Sequence, residues 1–80
     1  MKKEDFFNSL QDVLEIDEDI EITEATNFKN MKHFELDSIA IMTLVAFVHE
    51  KFKRKFTAVQ INSITTVRSL MELIGLDHFE

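Results

Sequence analysis

The first apolar residues fall at Phe6, Phe7, Leu10, Val13 and Leu14. Spacings of three and four put them on one stripe of a helix over about residues 3–15. A longer apolar run, Ile39 to Val48, follows Asp37-Ser38 and predicts a second helix over about 38–52. Advancing about 100° per residue gathers Ile41, Leu44, Val45, Val48 and Phe52 into one arc, wide enough to serve a core. Ile39, Met42 and Ala46 fall on the far side, beside Thr43, Glu50 and Lys53. This helix therefore has more apolar surface than one core stripe needs. Two arrangements satisfy that pattern: an exposed strip that meets a partner, or a strip covered by the chain's own connector.

Residues 16–37 show only a short alternation, Ile20-Glu21-Ile22-Thr23, too brief to define a strand. Ile16, Ile20, Ile22, Phe28, Met31 and Phe34 are expected to pin this stretch over the core as an ordered loop. Connectors of such length are uncommon in compact domains unless they serve a function. Thr57-Ala58-Val59-Gln60 has capping-box spacing and starts a short third helix near Ala58. Thr65 or Thr66 caps a last helix carrying Val67, Leu70, Met71 and Ile74, with Gly75 ending it in a left-handed cap. The expected fold is all-α: a small four-helix bundle, three main helices and one short, with a long loop between helices 1 and 2. One domain spans residues 1–80.

Composition narrows the chemistry. The chain has no Cys, so no disulfide or thiolate zinc site can staple it, and any thioester chemistry would need a thiol delivered by a cofactor. A formal net charge of −6 argues against nucleic-acid binding, which needs clustered Lys and Arg. The longest apolar stretch is too short to span a bilayer, and because residues 1–5 run straight into charged sequence no signal peptide is expected. A cytoplasmic monomer is the expectation. The charge is uneven. Residues 1–24 hold nine acids against Lys2 and Lys3, whereas Lys51, Lys53, Arg54 and Lys55 form a basic knot. That knot either offsets the dipole at a helix C-terminus or forms a docking patch.

Catalytic and metal constellations fail on inspection. Asp17, Asp19, Glu21 and Thr23 alternate like a calcium loop, but Ile22 stands where the turn glycine belongs and Phe28 where the final carboxylate belongs. His33, His49 and His78 have no metal-ligand spacing and read as surface residues. One glycine cannot build a phosphate loop, and no Ser–His–Asp set stands out. The chain reads as neither enzyme nor metalloprotein. Ser38 remains. A serine hydroxyl at a helix start sits where N–H groups and the dipole favour a phosphate, a suitable tether for a phosphodiester-linked group. Asp-Ser is equally a common helix cap. Attachment needs an exposed hydroxyl, a nearby acid for orientation or metal contact, and an apolar strip for docking; Ser38, Asp37 and Ile39/Met42/Ala46 supply them in order.

The chain resembles the acyl carrier proteins. The likeness is carried by Phe34-Glu35-Leu36-Asp37-Ser38-Ile39, then Leu44, Val45, Val48 and Phe52, then Phe56, Ile64-Thr65-Thr66-Val67 and the last helix to Ile74. It covers about half the chain, and the helix over 3–15 fits the family's first. The resemblance implies that Ser38 receives 4′-phosphopantetheine from coenzyme A through a phosphopantetheinyl transferase using magnesium. The arm's thiol would hold acyl groups as thioesters for successive enzymes. Asp37 matches the acid before the serine, and Ile39, Met42 and Ala46 match partner-contacting positions, with Thr43 and Glu50 beside them.

Ala40, Thr43 and His49 depart from the pattern, standing where carriers of fatty-acid synthesis usually have acids, and the basic knot dilutes that face further. A changed face implies a changed partner set. The resemblance thus implies a specialised, free-standing carrier in a dedicated pathway of fatty-acid, polyketide or related lipid type. Its partners would be acyl- or aminoacyl-activating, condensing or acyltransfer enzymes. An aminoacyl or peptidyl carrier shares the same features. So does an unmodified helical interaction module that uses Ser38 only as a cap; under that reading Ser38→Ala removes about 1 kcal/mol of stability and nothing else.

Overall fold

The computed structural model describes residues 1–30 and 37–80. Four α-helices follow one another: α1 (Lys3–Val13), α2 (Ser38–Phe52), α3 (Ala58–Asn62) and α4 (Val67–Ile74). A 3₁₀ turn, Leu76–His78, closes the chain. The described residues contain no strand beyond one isolated antiparallel bridge, Asn27 with Thr66. The all-α expectation is met, and the expected anchors Met31 and Phe34 lie outside the described residues.

The core is apolar throughout: every buried side chain among the described residues is hydrophobic. Phe6 and Leu10 of α1 meet Ile41, Leu44, Phe47 and Val48 of α2, Ile61 of α3, and Val67, Leu70, Met71 and Ile74 of α4. Phe6 organises one end, with ring centroids 4.8 Å from Phe79, 6.0 Å from Phe52 and 6.1 Å from Phe47. Phe47 is the residue the helical arc omitted. At about 100° per residue it lies about 60° outside that arc, and it is buried because the Phe6 ring packs there. Val45 and Phe52, assigned to the arc, are half-buried.

Helix ends show how a chain with one glycine stops its helices. α1 ends at Val13, two residues earlier than the periodicity suggests, in a Schellman arrangement. The Ile16 N–H donates to the Gln11 carbonyl (2.9 Å) and the Glu15 N–H to that of Asp12 (3.3 Å). Glu15 takes the left-handed position with φ 53°, and Lys53 does the same after α2 with φ 59°. Gly75 departs from expectation. Its φ is 118° but its ψ is 116°, outside the left-handed helical region, because the chain turns directly into the 3₁₀ segment. The expected capping box at Thr57 and Gln60 is present, and of the two candidate threonines Thr66 caps α4, in a box with Ser69.

The described residues of the connector are ordered as expected. Ile16, Ile22 and Phe28 are buried and Ile20 half-buried. Gln11 Nε2 holds it to α1 by donating to the carbonyls of Asp17 (3.0 Å) and Ile20 (3.1 Å). Its other attachment is to α4. The N–H groups of Val67 and Arg68 donate to the carbonyls of Thr26 and Glu24, both at 2.9 Å, and the Phe28 N–H donates to Thr65 (2.8 Å). The Arg68 guanidinium also pairs with the Glu24 carboxylate at 3.0 Å. The Val67 and Arg68 backbone bonds satisfy first-turn donors that α4 cannot satisfy itself.

Candidate functional site

Asp37 and Ser38 divide the work at the start of α2. Asp37 is the N-cap: its backbone is extended, its Oδ1 accepts from the Ala40 N–H at 2.9 Å, and its carbonyl accepts from the Ile41 N–H at 2.9 Å. Ser38 is the first helical residue, exposed, and its hydroxyl makes no hydrogen bond among the described residues. Capping therefore belongs to Asp37, and the Ser38 hydroxyl is left over. The backbone N–H groups of Ser38 and Ile39 are also unpartnered among the described residues. A helix of 15 residues concentrates the positive end of its dipole there.

Ser38 opens onto a shallow groove between α2 and α3, lined by Asp37, Ser38, Ile41, Ala58, Val59 and Asn62. Val59 is 79% exposed, unusual for a large apolar side chain, and sequence periodicity gave no signal for it because α3 has only five residues.

The five expected partner-contacting residues come together elsewhere. Ile39, Met42, Thr43, Ala46 and Glu50 line an open trough of about 810 Å³ between α1 and α2, with Ser9, Asp12 and Val13 as its other wall. Ile39 is 77% and Met42 70% exposed, so no described part of the connector covers the strip. The Thr43 hydroxyl is not free for a partner; it donates to the Ile39 carbonyl at 2.8 Å. The contribution of α1 was not legible, since nothing in the spacing says which helix flanks α2 on that side. Helix α2 thus separates the serine's groove from the apolar trough.

Asp17 Oδ1 accepts from the Asp19 N–H at 3.0 Å, a local turn rather than an ion loop. No group of three or more His, Cys, Asp or Glu able to hold a metal exists among the described residues. His49 is exposed and His78 half-buried, its ring 5.7 Å from that of Phe52. His33 and the Phe34-Glu35-Leu36 part of the motif lie outside the described residues. None of the described helices is long and apolar enough to cross a membrane.

The local chemistry fits a phosphate ester: an exposed hydroxyl and two N–H donors that have no partner among the described residues, and a cap supplied by a different residue. The family described as phosphopantetheine attachment site matches residues 4–74. No curated protein and no solved structure matches the chain.

Proposed function

The chain belongs to the phosphopantetheine-attachment family, whose members carry 4′-phosphopantetheine, and we propose that it is an acyl carrier with Ser38 as the attachment point. The observation that carries this reading is the division of labour at α2. With Asp37 as the cap, the Ser38 hydroxyl has no hydrogen bond among the described residues and stands exposed beside helix N–H groups that are unpartnered there too. When bound, the group supplies a terminal thiol that holds an acyl chain as a thioester, a thiol this Cys-free chain cannot provide.

The chain's own residues bind and orient. Ser38 Oγ would displace adenosine 3′,5′-bisphosphate from the coenzyme A pyrophosphate, giving up its proton, and the N–H groups of Ser38 and Ile39 would be the donors available to the phosphate charge. Asp37 spends Oδ1 on the cap, and its Oδ2, which has no hydrogen bond among the described residues, would orient the hydroxyl or meet the transferase's magnesium. Ile39, Met42 and Ala46 offer partner enzymes a dry strip, with Thr43 and Glu50 at its border. The protein carries rather than catalyses, as one carrier domain working in the cytoplasm. Ala40, Thr43 and His49 leave α2 without acids at those positions, which supports a dedicated pathway with its own activating, condensing or acyltransfer enzymes.

Intact mass before and after incubation with coenzyme A, magnesium and a broad-specificity phosphopantetheinyl transferase tests the reading. A gain of one phosphopantetheine, absent in Ser38→Ala, is expected. A folded wild type that gains nothing while a reference carrier is modified in the same tube would move the unmodified interaction module to the front. Loading with fatty acids against amino acids then separates an acyl from an aminoacyl or peptidyl carrier.

A further inference from the structure

We propose that Lys51, Lys53, Arg54 and Lys55, at the C-terminal end of α2, dock an acidic face of the enzymes this carrier serves; this rests on the carrier reading. All four are exposed. The ion pairs among the described residues join Lys3 and Arg68 to Glu24 and Glu72, and none involves the cluster. None of the four side chains makes a hydrogen bond there either. Four cations within five positions repel one another, a cost that no ion pair among the described residues offsets.

Dipole compensation accounts for only part of the cluster. That effect fades beyond the last turn, where Lys51 and Lys53 sit; Arg54 and Lys55 lie past the helix, in irregular backbone. Lys53 also occupies a left-handed position, φ 59°, that glycine would fill with less strain. The rest of the chain has five cations against fifteen acids, so the cluster is a local reversal on an acidic molecule. Such a charge pair steers and orients an incoming partner.

The partner's chemistry follows from what surrounds the cluster. An extended polyanion, a membrane or a nucleic acid, would meet the molecule's acids as well as its cations. A compact acidic patch on a folded protein meets the cations alone. The apolar trough runs into the cluster, ending at Glu50 and Lys51, so the same partner covers Ile39 and Met42 with dry surface. Helix α2 fixes the spacing. Fourteen steps at about 1.5 Å set the cluster about 21 Å from Ser38, so the acidic patch lies that far from the opening that receives the arm.

The test loads wild type and the charge-reversed variant K51E/K53E/R54E/K55E with a pantetheine analogue bearing a photoreactive group, confirmed by mass, and irradiates both in extract of the source cells. Protein labelling through the arm should fall roughly tenfold in the variant, and in wild type when sodium chloride rises from about 50 to about 300 mM. The all-Gln variant, which neutralises without reversing, should give an intermediate loss and guards against a folding defect. Equal labelling by all three chains overturns the proposal, as does wild type that sediments with phosphatidylglycerol vesicles and labels lipid in place of protein. A wild type that takes up no analogue counts against the carrier reading instead. Carbodiimide coupling, which needs no arm, then reads the cluster alone: the absence of amide links from Lys51, Lys53 or Lys55 to a protein's carboxylates overturns the proposal.

Discussion

Replacing Asp37 and Ser38 separately by alanine should split stability from function in opposite directions. Asp37→Ala removes the Oδ1 acceptor 2.9 Å from the Ala40 N–H and leaves a first-turn donor to water. Lost caps of this kind cost about 1 kcal/mol, which in a chain of this size lowers the melting temperature by roughly 4–8 °C. Asp37→Asn keeps a capping oxygen and should stay within about 0.5 kcal/mol of wild type. Ser38→Ala breaks no hydrogen bond, sits exposed, and substitutes a better helix former, so its stability should match or slightly exceed wild type. Urea unfolding followed by circular dichroism measures all three, with intact mass after transferase treatment on the same samples. Asp37→Asn should remain folded yet take up phosphopantetheine more slowly than wild type, and Ser38→Ala not at all. If Ser38→Ala costs as much as Asp37→Ala, the serine is a structural cap and the central argument for attachment is refuted.

Three further variants probe the scaffold. Phe6→Ala empties the aromatic cluster with Phe47, Phe52 and Phe79 and should cost roughly 3–5 kcal/mol; a urea midpoint close to wild type would show that Phe6 is not the organising side chain. Lys53→Gly relieves a left-handed backbone and should stabilise by roughly 0.5–1 kcal/mol in thermal unfolding, while a loss of stability would mean the lysine packs rather than strains. Gly75→Ala should destabilise by more than about 1 kcal/mol, since φ is 118° and the new Cβ would lie 2.9 Å from Asp77 Oδ1; unchanged calorimetric stability would place the turn in a different conformation.

Sequence pattern reached the features governed by local rules. Thr57 with Gln60 and Thr66 before Val67 are capping chemistry written within four residues, and both appear where the spacing puts them. Helical geometry alone puts Ile39 and Met42 on the side of α2 away from its core arc, but not whether the connector covers them; both are exposed. Features decided by a distant neighbour were not legible. Phe47 is buried because Phe6 comes from α1 to meet it, and Ser9, Asp12 and Val13 line the trough because α1 happens to flank that side. The left-handed ends at Glu15 and Lys53 escaped notice because neither is the glycine or asparagine that usually marks such a position. At the site itself, the sequence brought Asp37 and Ser38 forward together but could not say which of them capped the helix.

The hydrogen bonds from Val67 and Arg68 back to Thr26 and Glu24 bear on how the chain acquires its structure. An isolated helix of eight residues is below the length that persists in water. The first turn of α4 is completed by carbonyls some forty positions earlier, so it forms only once the connector has docked. Loop-closure entropy must be overcome before that helix is rewarded. A fragment beginning at the serine motif would hold α2, α3 and α4 yet lack the acceptors for the last of them, along with Phe6 and Leu10. Transplanting the motif-bearing half into another scaffold would therefore transfer a sequence without its fold; the smallest transferable unit reaches back to α1.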